Sequence, residues 1–331
     1  MSETSSAPVV VVTGASAGVG RAIALRFAAG GYAVALIARD EAALEAARAE
    51  VESFGVPAIA VPADVADADA VLRAAERIER ELGPITVWIN NAMVTVISPF
   101  AAMTPEEYRR VTEVTYLGAV HGTMAALKHM KPRDRGRVVQ IGSALAYRGI
   151  PLQAAYCGAK HAIRGFSESV RSELIHDGSG VDLMMVDLPA VNTPQFDWAR
   201  THVLRKPRPM GAPTQPEAIG DGVFRAVEGG ARDYWIGWTT ALTVLGNALM
   251  PAFMDRYLAK AVEGQQTAAV VSRDRKDNLM APADHHRTQG PFSGEASARA
   301  PLLPASAVRV GVVAAGAFIF TALGAAISRR R

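Results

Sequence analysis

Tyr156 and Lys160 stand four residues apart, and Ser143 lies thirteen positions upstream of Tyr156 at the end of an apolar run. On a helix, residues at this spacing share a face, so the phenol and the ammonium would point into the same space. A tyrosine with a pKa of about 10 is only about 0.1% ionised at neutral pH, and a fixed cation a few ångströms away lowers that value. The two would make a proton donor and acceptor. The spacing by itself also fits a solvated surface pair, so the elements that carry these residues must decide.

A second stretch with chemical potential is Thr13-Gly14-Ala15-Ser16-Ala17-Gly18-Val19-Gly20, which follows the β-branched run Val9 to Val12 and precedes an apolar-periodic segment from Arg21 to Ala29. Strand, glycine turn and helix in this order form the context in which a glycine pattern binds a dinucleotide. Gly14 permits the tight turn, and Gly18 lets the backbone approach a pyrophosphate. The free N–H groups at the helix start receive its charge, which makes Ser16, Val19 and Gly20 further contact candidates. A second buried strand, Ala33 to Ile37, leads to Ala38 and Arg39, near the point where such folds read the cofactor ribose. A guanidinium there suits a 2′-phosphate and favours NADP(H) over NAD(H). Asp40 competes with that preference unless it starts the next helix.

The positioning elements follow from hydrophobic periodicity. Further strands are expected at Ala58 to Val61, Ile85 to Asn91, Arg137 to Ile141, Asp182 to Val186 and Asp233 to Trp238. Helices are expected at Glu41 to Phe54, Ala68 to Leu82, Pro105 to Met130, Gln153 to His176 and Pro216 to Val227. Thr104-Pro105-Glu106-Glu107 combines a threonine cap, proline at the first helical position and a glutamate placed for a capping box. The alternation predicts a doubly wound parallel sheet with helices on both faces, whose ligands sit beyond the carboxyl ends of the strands. The glycine turn, Asp64, Asn91, Ser143 and Pro189 each follow a strand, so they would share one site.

The 331 residues accommodate one α/β domain of roughly 250 residues and a tail. The catalytic domain is expected over residues 8–260, after a polar, disordered stretch over 1–7 that has no secretory signal. A net charge of +3 with no basic cluster before the last three residues excludes a nucleic-acid footprint. The lone Cys157 excludes an internal disulfide and a cysteine zinc site, and fits a reducing compartment. No base is assigned to it as a nucleophile, and a small helix-face residue accounts for it. His285 and His286 beside Asp284 lack further placed ligands, so no metal is expected.

These motifs, Thr13-Gly14-x-x-x-Gly18-x-Gly20, Asp64-Val65, Asn90-Asn91-Ala92, Ser143, Tyr156-x-x-x-Lys160 and Pro189-Ala190-Val191-Asn192-Thr193-Pro194, give the chain a resemblance to the short-chain dehydrogenase/reductases over about residues 8 to 240. The resemblance implies a Rossmann-like fold and hydride transfer between a nicotinamide and a secondary alcohol or ketone. It implies Tyr156 as general acid/base, with Lys160 lowering its pKa and holding the nicotinamide ribose, and Ser143 stabilising the carbonyl. It also implies adenine contacts from Asp64 and Val65, Asn91 beside the ribose, Thr193 at the carboxamide, and a homo-oligomer. Three positions depart from the family pattern. Thr115 stands where an asparagine normally supports a water-linked proton relay, and Met93 and Ala190 each replace a customary glycine.

Substrate selection would fall to Asn192 to Ala212, where Phe196, Trp198 and Met210 mix with Arg200, Arg205, Lys206 and Arg208. An aromatic lid over an apolar substrate, a basic face toward headgroups or an anion, and an ordinary mobile loop all fit. Thr239 to Met254 is apolar but interrupted by Asn247 and Pro251, which suits a core or dimer-facing helix, or membrane docking, better than a span. Residues 261–308 read as a polar linker. Val310 to Ile327 is an unbroken run of apolar, glycine or threonine residues before three arginines, and residues 309–331 are expected as a C-terminal membrane-anchor helix. The expected protein is membrane-associated with a cytoplasmic catalytic domain. The rival reading is a nucleotide-binding sensor or membrane scaffold that does no chemistry.

Overall fold

All five residues of the first strand, β1 (Val9–Thr13), are buried, as a β-branched run between two other strands requires. The computed structural model describes residues 7–315 apart from 273, 284 and 285. After β1 come α1 (Gly18–Ala29), β2 (Ala33–Ala38), α2 (Glu41–Glu52), β3 (Ala58–Pro62), α3 (Ala68–Glu81), β4 (Ile85–Asn90) and the short β5 (Val96–Ile97). The middle of the chain holds α4 (Pro105–Val111), α5 (Gly118–Met130), β6 (Gly136–Ser143), α6 (Ala154–His176), β7 (Val181–Leu188), α7 (Gln195–Trp198), β8 (Arg200–Thr201) and β9 (Arg205–Pro207). Then follow α8 (Pro216–Gly229), β10 (Asp233–Ile236), α9 (Trp238–Leu249), α10 (Pro251–Ala259), β11 (Gln266–Val270) and β12 (Leu302–Pro304).

Eight of these strands form one sheet in the order β12-β10-β7-β6-β4-β1-β2-β3. The pairs from β10 through β3 are parallel, and β12 joins the edge antiparallel to β10. Strand alternation divides the core between the two faces. Val9 and Val11 belong to the cluster under α3 and α5, and Val10 and Val12 to the cluster under α1 and α8. This is a Rossmann-like α/β fold, and the order turns back between β1 and β4, where such sheets open a crevice.

Local chemistry sets the helix starts near that crevice. Asp40 caps α2 by accepting the Ala43 N–H at 2.9 Å, which gives this carboxylate the cap role. At α4 the Thr104 hydroxyl accepts the Glu107 N–H while the Glu107 carboxylate accepts the Thr104 N–H, a complete capping box. The expected helix from Pro105 to Met130 contains a π-helical turn at Thr112–Leu117, which widens the rod where Val114 and Thr115 are buried.

Two expectations meet a different structure. The apolar stretch from Thr239 to Met254 is two helices, α9 and α10, broken at Pro251, and only Thr240, Ala241 and Val244 of α9 are buried. Leu242, Leu249, Met250 and Phe253 lie exposed, so this is not a core helix. The stretch expected as a linker supplies β11, which pairs with β9, and β12, which extends the main sheet, and it buries Leu279 completely. Its attachments are backbone hydrogen bonds, scattered ion pairs such as Arg200–Asp277 and Arg208–Glu295, and isolated apolar anchors, which leave no hydrophobic period to read. Residues 305–315 are helical. No described helix is long and apolar enough to cross a membrane, and most of the anchor candidate lies outside the described residues. The same holds for residues 1–6 of the expected disordered N-terminus and for Asp284 and His285.

Candidate active site

Gly14 and Gly18 adopt φ of 67° and 56°, which only glycine occupies without strain. A Cβ on Gly14 would lie 2.8 Å from the Ala92 Cα, and one on Gly20 would lie 2.1 Å from the Gly14 carbonyl oxygen. The glycines thus bring α1 close against its own turn, and the Gly18 N–H donates to the Arg287 carbonyl at 3.1 Å. Asn91 holds the turn from the far side: its Nδ2 donates to the Thr13 carbonyl at 2.9 Å, and its backbone N–H donates to the Thr13 hydroxyl at 2.9 Å. Asn91 therefore braces β4 against the glycine turn.

Above this cradle lies a cavity of about 530 Å³. Gly14, Ser16, Gly18, Val19 and Gly20 line its floor, Arg39, Asp64 and Val65 one end, and Asn91, Ser143, Tyr156, Lys160 and Thr193 the other walls. Every site residue expected from the sequence thus faces one space. A glycine-floored cleft of this size beside a helix N-terminus fits a nicotinamide dinucleotide.

At the reactive end, Ser143 closes β6 and Tyr156 and Lys160 sit in the first two turns of α6. Lys160 is 3% exposed, and its Nζ donates to the Ile141 carbonyl at 2.6 Å and lies 5.6 Å from the Tyr156 ring centroid. Burial lowers the Lys160 pKa to about 8, with the Asp187 carboxylate opposing. Burial also raises Tyr156 above its ordinary value, with the Ser143 hydroxyl opposing and Cys157 and Asp187 adding. The groups that act on Tyr156 do not include Lys160, so the expected lowering is absent and burial sets the direction. Thr115 is 1% exposed and spends its hydroxyl on one peptide: Oγ1 accepts the Val94 N–H at 3.1 Å and donates to the Val94 carbonyl at 2.9 Å. Its bonds hold the segment after Asn91, and its one proton is committed to the Val94 carbonyl. Cys157 is buried beside Ile150 and Leu258, and burial pushes its thiol pKa up, the opposite of an activated nucleophile.

At the other end, the Arg39 guanidinium donates to the carbonyls of Asn278, Met280, Leu279 and Ala281 at 2.5, 3.2, 3.4 and 3.5 Å. Asp64 pairs with Arg110 and accepts the Ala66 N–H at 3.0 Å; burial works to raise its pKa, but these bonds hold it below the ordinary value. In the substrate-side segment, Phe196 is buried edge-on to Phe292, and Trp198 and Met210 line the cavity. Arg200 pairs with Asp277 and Glu107, and Arg208 with Glu295.

A family model described as short chain dehydrogenase matches residues 8–202. The chain belongs to that family. It is an oxidoreductase that acts on CH–OH groups with a nicotinamide cofactor. It is 33% identical over 276 residues to "Uncharacterized oxidoreductase YxnA" of Bacillus subtilis, covering 82% of this chain and 77% of that protein. It is also 33% identical over 170 residues to the 3-dehydrosphinganine reductase of Danio rerio, covering 50% of this chain and 51% of that one. Among solved structures, an alcohol dehydrogenase from Thermococcus sibiricus complexed with 5-hydroxy-NADP aligns with a TM-score of 0.56 and 26% identity, over 67% of this chain and 90% of that chain.

Two features of the site escape the sequence reading. Asp187 is fully buried on β7, its Oδ2 accepts the Tyr147 hydroxyl at 3.0 Å, and burial raises its pKa to about 7. An acid inside the apolar run Leu183 to Leu188 was the available signal. The second is the set of carbonyls from residues 278–281 on Arg39, for which the sequence carries no signal.

Proposed function

We propose that this enzyme uses NADP(H) to interconvert a ketone and a secondary alcohol on an apolar substrate at a membrane surface. The carrying observation is that Ser143, Tyr156 and Lys160 line the same cavity as the glycine turn. The bound nicotinamide supplies or accepts the hydride. In reduction, Ser143 donates a hydrogen bond to the substrate carbonyl, and the Tyr156 Oη–H bond breaks as its proton passes to the oxygen that becomes the alcohol. A raised Tyr156 pKa keeps that proton in place at neutral pH. Lys160, as a buried cation, stabilises the tyrosinate left behind and holds the nicotinamide ribose. Asp64 and Val65 take the adenine, and Thr193 the carboxamide.

The preference for NADP(H) rests on Arg39 at the end of β2. Its guanidinium already gathers several oxygen acceptors, as a 2′-phosphate would offer. Asp40 caps α2 through Oδ1 and lies 3.1 Å from His286 Nε2 through Oδ2, so each of its carboxylate oxygens already has a partner. The apolar preference rests on Leu242, Met254, Tyr257 and Leu258, which line the cavity from α9 and α10. A relative named as a 3-dehydrosphinganine reductase agrees with a lipid-like ketone.

Tyr156→Phe should leave NADPH binding intact and remove turnover on a panel of lipid ketones and alcohols. Undiminished turnover would sink the acid/base role, and NADPH binding without turnover of any panel member by the wild type would point to a nucleotide-binding sensor. Membrane association rests on the apolar run to Ile327 and its terminal arginines. Deletion from Gly316 onward should move the enzyme to the soluble fraction while sparing Ala305, which is buried against the Trp235 cluster. Full-length protein that is soluble without detergent would contradict this association.

A further inference from the structure

Residues 278–283 and 286–292 lie along the nucleotide cleft and are fastened on both sides of it. On the Arg39 side, Leu279 is fully buried in the core cluster that contains Val65 and Val114. Arg39 holds the carbonyls of residues 278–281, and Arg110 Nε donates to the Leu279 carbonyl at 3.2 Å. On the Thr193 side, the Gly290 N–H donates to the Asn192 carbonyl at 3.0 Å, and the Phe292 N–H donates to Asn192 Oδ1 at 3.0 Å. Gly290 fits there because a Cβ would lie 2.4 Å from the Thr193 carbonyl oxygen. Between the two ends, the Gly18 N–H donates to the Arg287 carbonyl at 3.1 Å and Arg21 donates to the His286 carbonyl at 2.9 Å.

The cofactor cavity lies beneath. Asn278, Pro282, Ala283 and His286 line it on the side facing the glycine turn. Both the adenosine end, at Arg39, and the start of α1, where the pyrophosphate would sit, are therefore covered by the same stretch of chain. Opening it requires withdrawing a buried leucine and breaking hydrogen bonds at both ends, so the covered state is the stable one.

We propose that residues 278–283 and 286–292 are a cofactor-retaining strap, the outer wall of the nucleotide site, which must part from Arg39, α1 and Asn192 before a nicotinamide dinucleotide can enter or leave. The strap belongs to the binding site and rests on the nicotinamide reading of that site. Arg39 is its latch: a 2′-phosphate competes for the same N–H groups that hold the strap carbonyls, so phosphate arrival and latch release are coupled.

The test is the dissociation rate of NADPH, followed by stopped-flow fluorescence, together with hydrogen–deuterium exchange of the cofactor-free protein. Leu279→Ser should speed NADPH release about 10-fold or more and raise exchange across 278–292, because losing a buried leucine shifts the strap toward its open form. The peptide containing β12 should stay protected, which marks the rest of the fold as intact. Phe292→Ala, which loosens the opposite end at Phe196, is the second variant and should act in the same direction. Faster exchange in the strap with an unchanged release rate would overturn the proposal, as would free exchange of the strap in the wild type. If the wild type binds neither NADPH nor NADH, the cofactor reading fails and the strap falls with it; binding with strap-independent release removes only the strap.

Discussion

Replacing Asp187 by asparagine should make the cofactor-free enzyme more stable, by an amount that grows with pH. The carboxyl is fully buried and lies on β7 beside Gly142 of β6, where a Cβ would meet Asp187 Oδ1 at 2.0 Å. That oxygen has no hydrogen-bond partner among the described residues. Burial, with the Asp233 carboxylate adding, outweighs the Tyr147 hydrogen bond and the Arg164 and Lys160 cations and raises the pKa from 3.8 to about 7. Below the unfolded pKa the carboxyl carries its proton in both states. Between that pH and about 7, only the unfolded chain has lost the proton, so the unfolded state binds fewer protons and stability falls as pH rises. Above the folded pKa the cost is complete, with an upper limit of about 4 kcal/mol at about 1.4 kcal/mol per pH unit. Asparagine escapes this cost and still offers an oxygen to the Tyr147 hydroxyl. Chemical denaturation at pH 5 and pH 8.5 should show the gain from Asp187→Asn rising by about 2 to 3 kcal/mol between them. Near pH 7 the gain is smaller, because Lys160 loses a partner that favours its charge. A variant less stable than wild type at both pH values would show that the carboxylate is ionised and well paired, and would refute the reasoning.

Arg39→Gln should raise the Kd for NADPH by about 10- to 100-fold more than that for NADH, because both cofactors lose the contacts that hold residues 278–281 in place and only NADPH also loses a charge-assisted contact to its 2′-phosphate. Equal losses for both cofactors in binding titrations would contradict the preference. Thr115→Val should cost about 1–3 kcal/mol, since it strands the Val94 N–H and carbonyl in the interior. The pH profile of turnover should stay where it is in that variant, and a displaced profile would restore Thr115 to the proton path.

The sheet was legible because its signals are local. Val9 to Val12 is a β-branched run that suits a doubly buried strand, Gly14 and Gly18 take φ values that strain most other residues, and Thr104 to Glu107 writes its own helix start. Strand ends then bring the glycine turn, Asp64, Asn91 and Ser143 to one edge of the sheet by topology, without any long-range contact having to be known. The sequence also showed that Tyr156 and Lys160 share a helix face. It could not show that burial, and not their mutual charge, sets their pKa values, because desolvation depends on what packs around them. Thr115 stands where the family carries a relay asparagine, and only the tertiary structure shows its hydroxyl on the Val94 peptide. The largest difference lies in residues 261–304, whose polar composition reads as a linker. That stretch is held by backbone carbonyls, scattered ion pairs, a few buried apolar residues such as Leu279 and one glycine at a close approach, and these leave no periodic mark. Composition and periodicity report what a segment buries along its own length; only the tertiary structure decides which distant donors, here Arg39 and Gly18, its carbonyls reach.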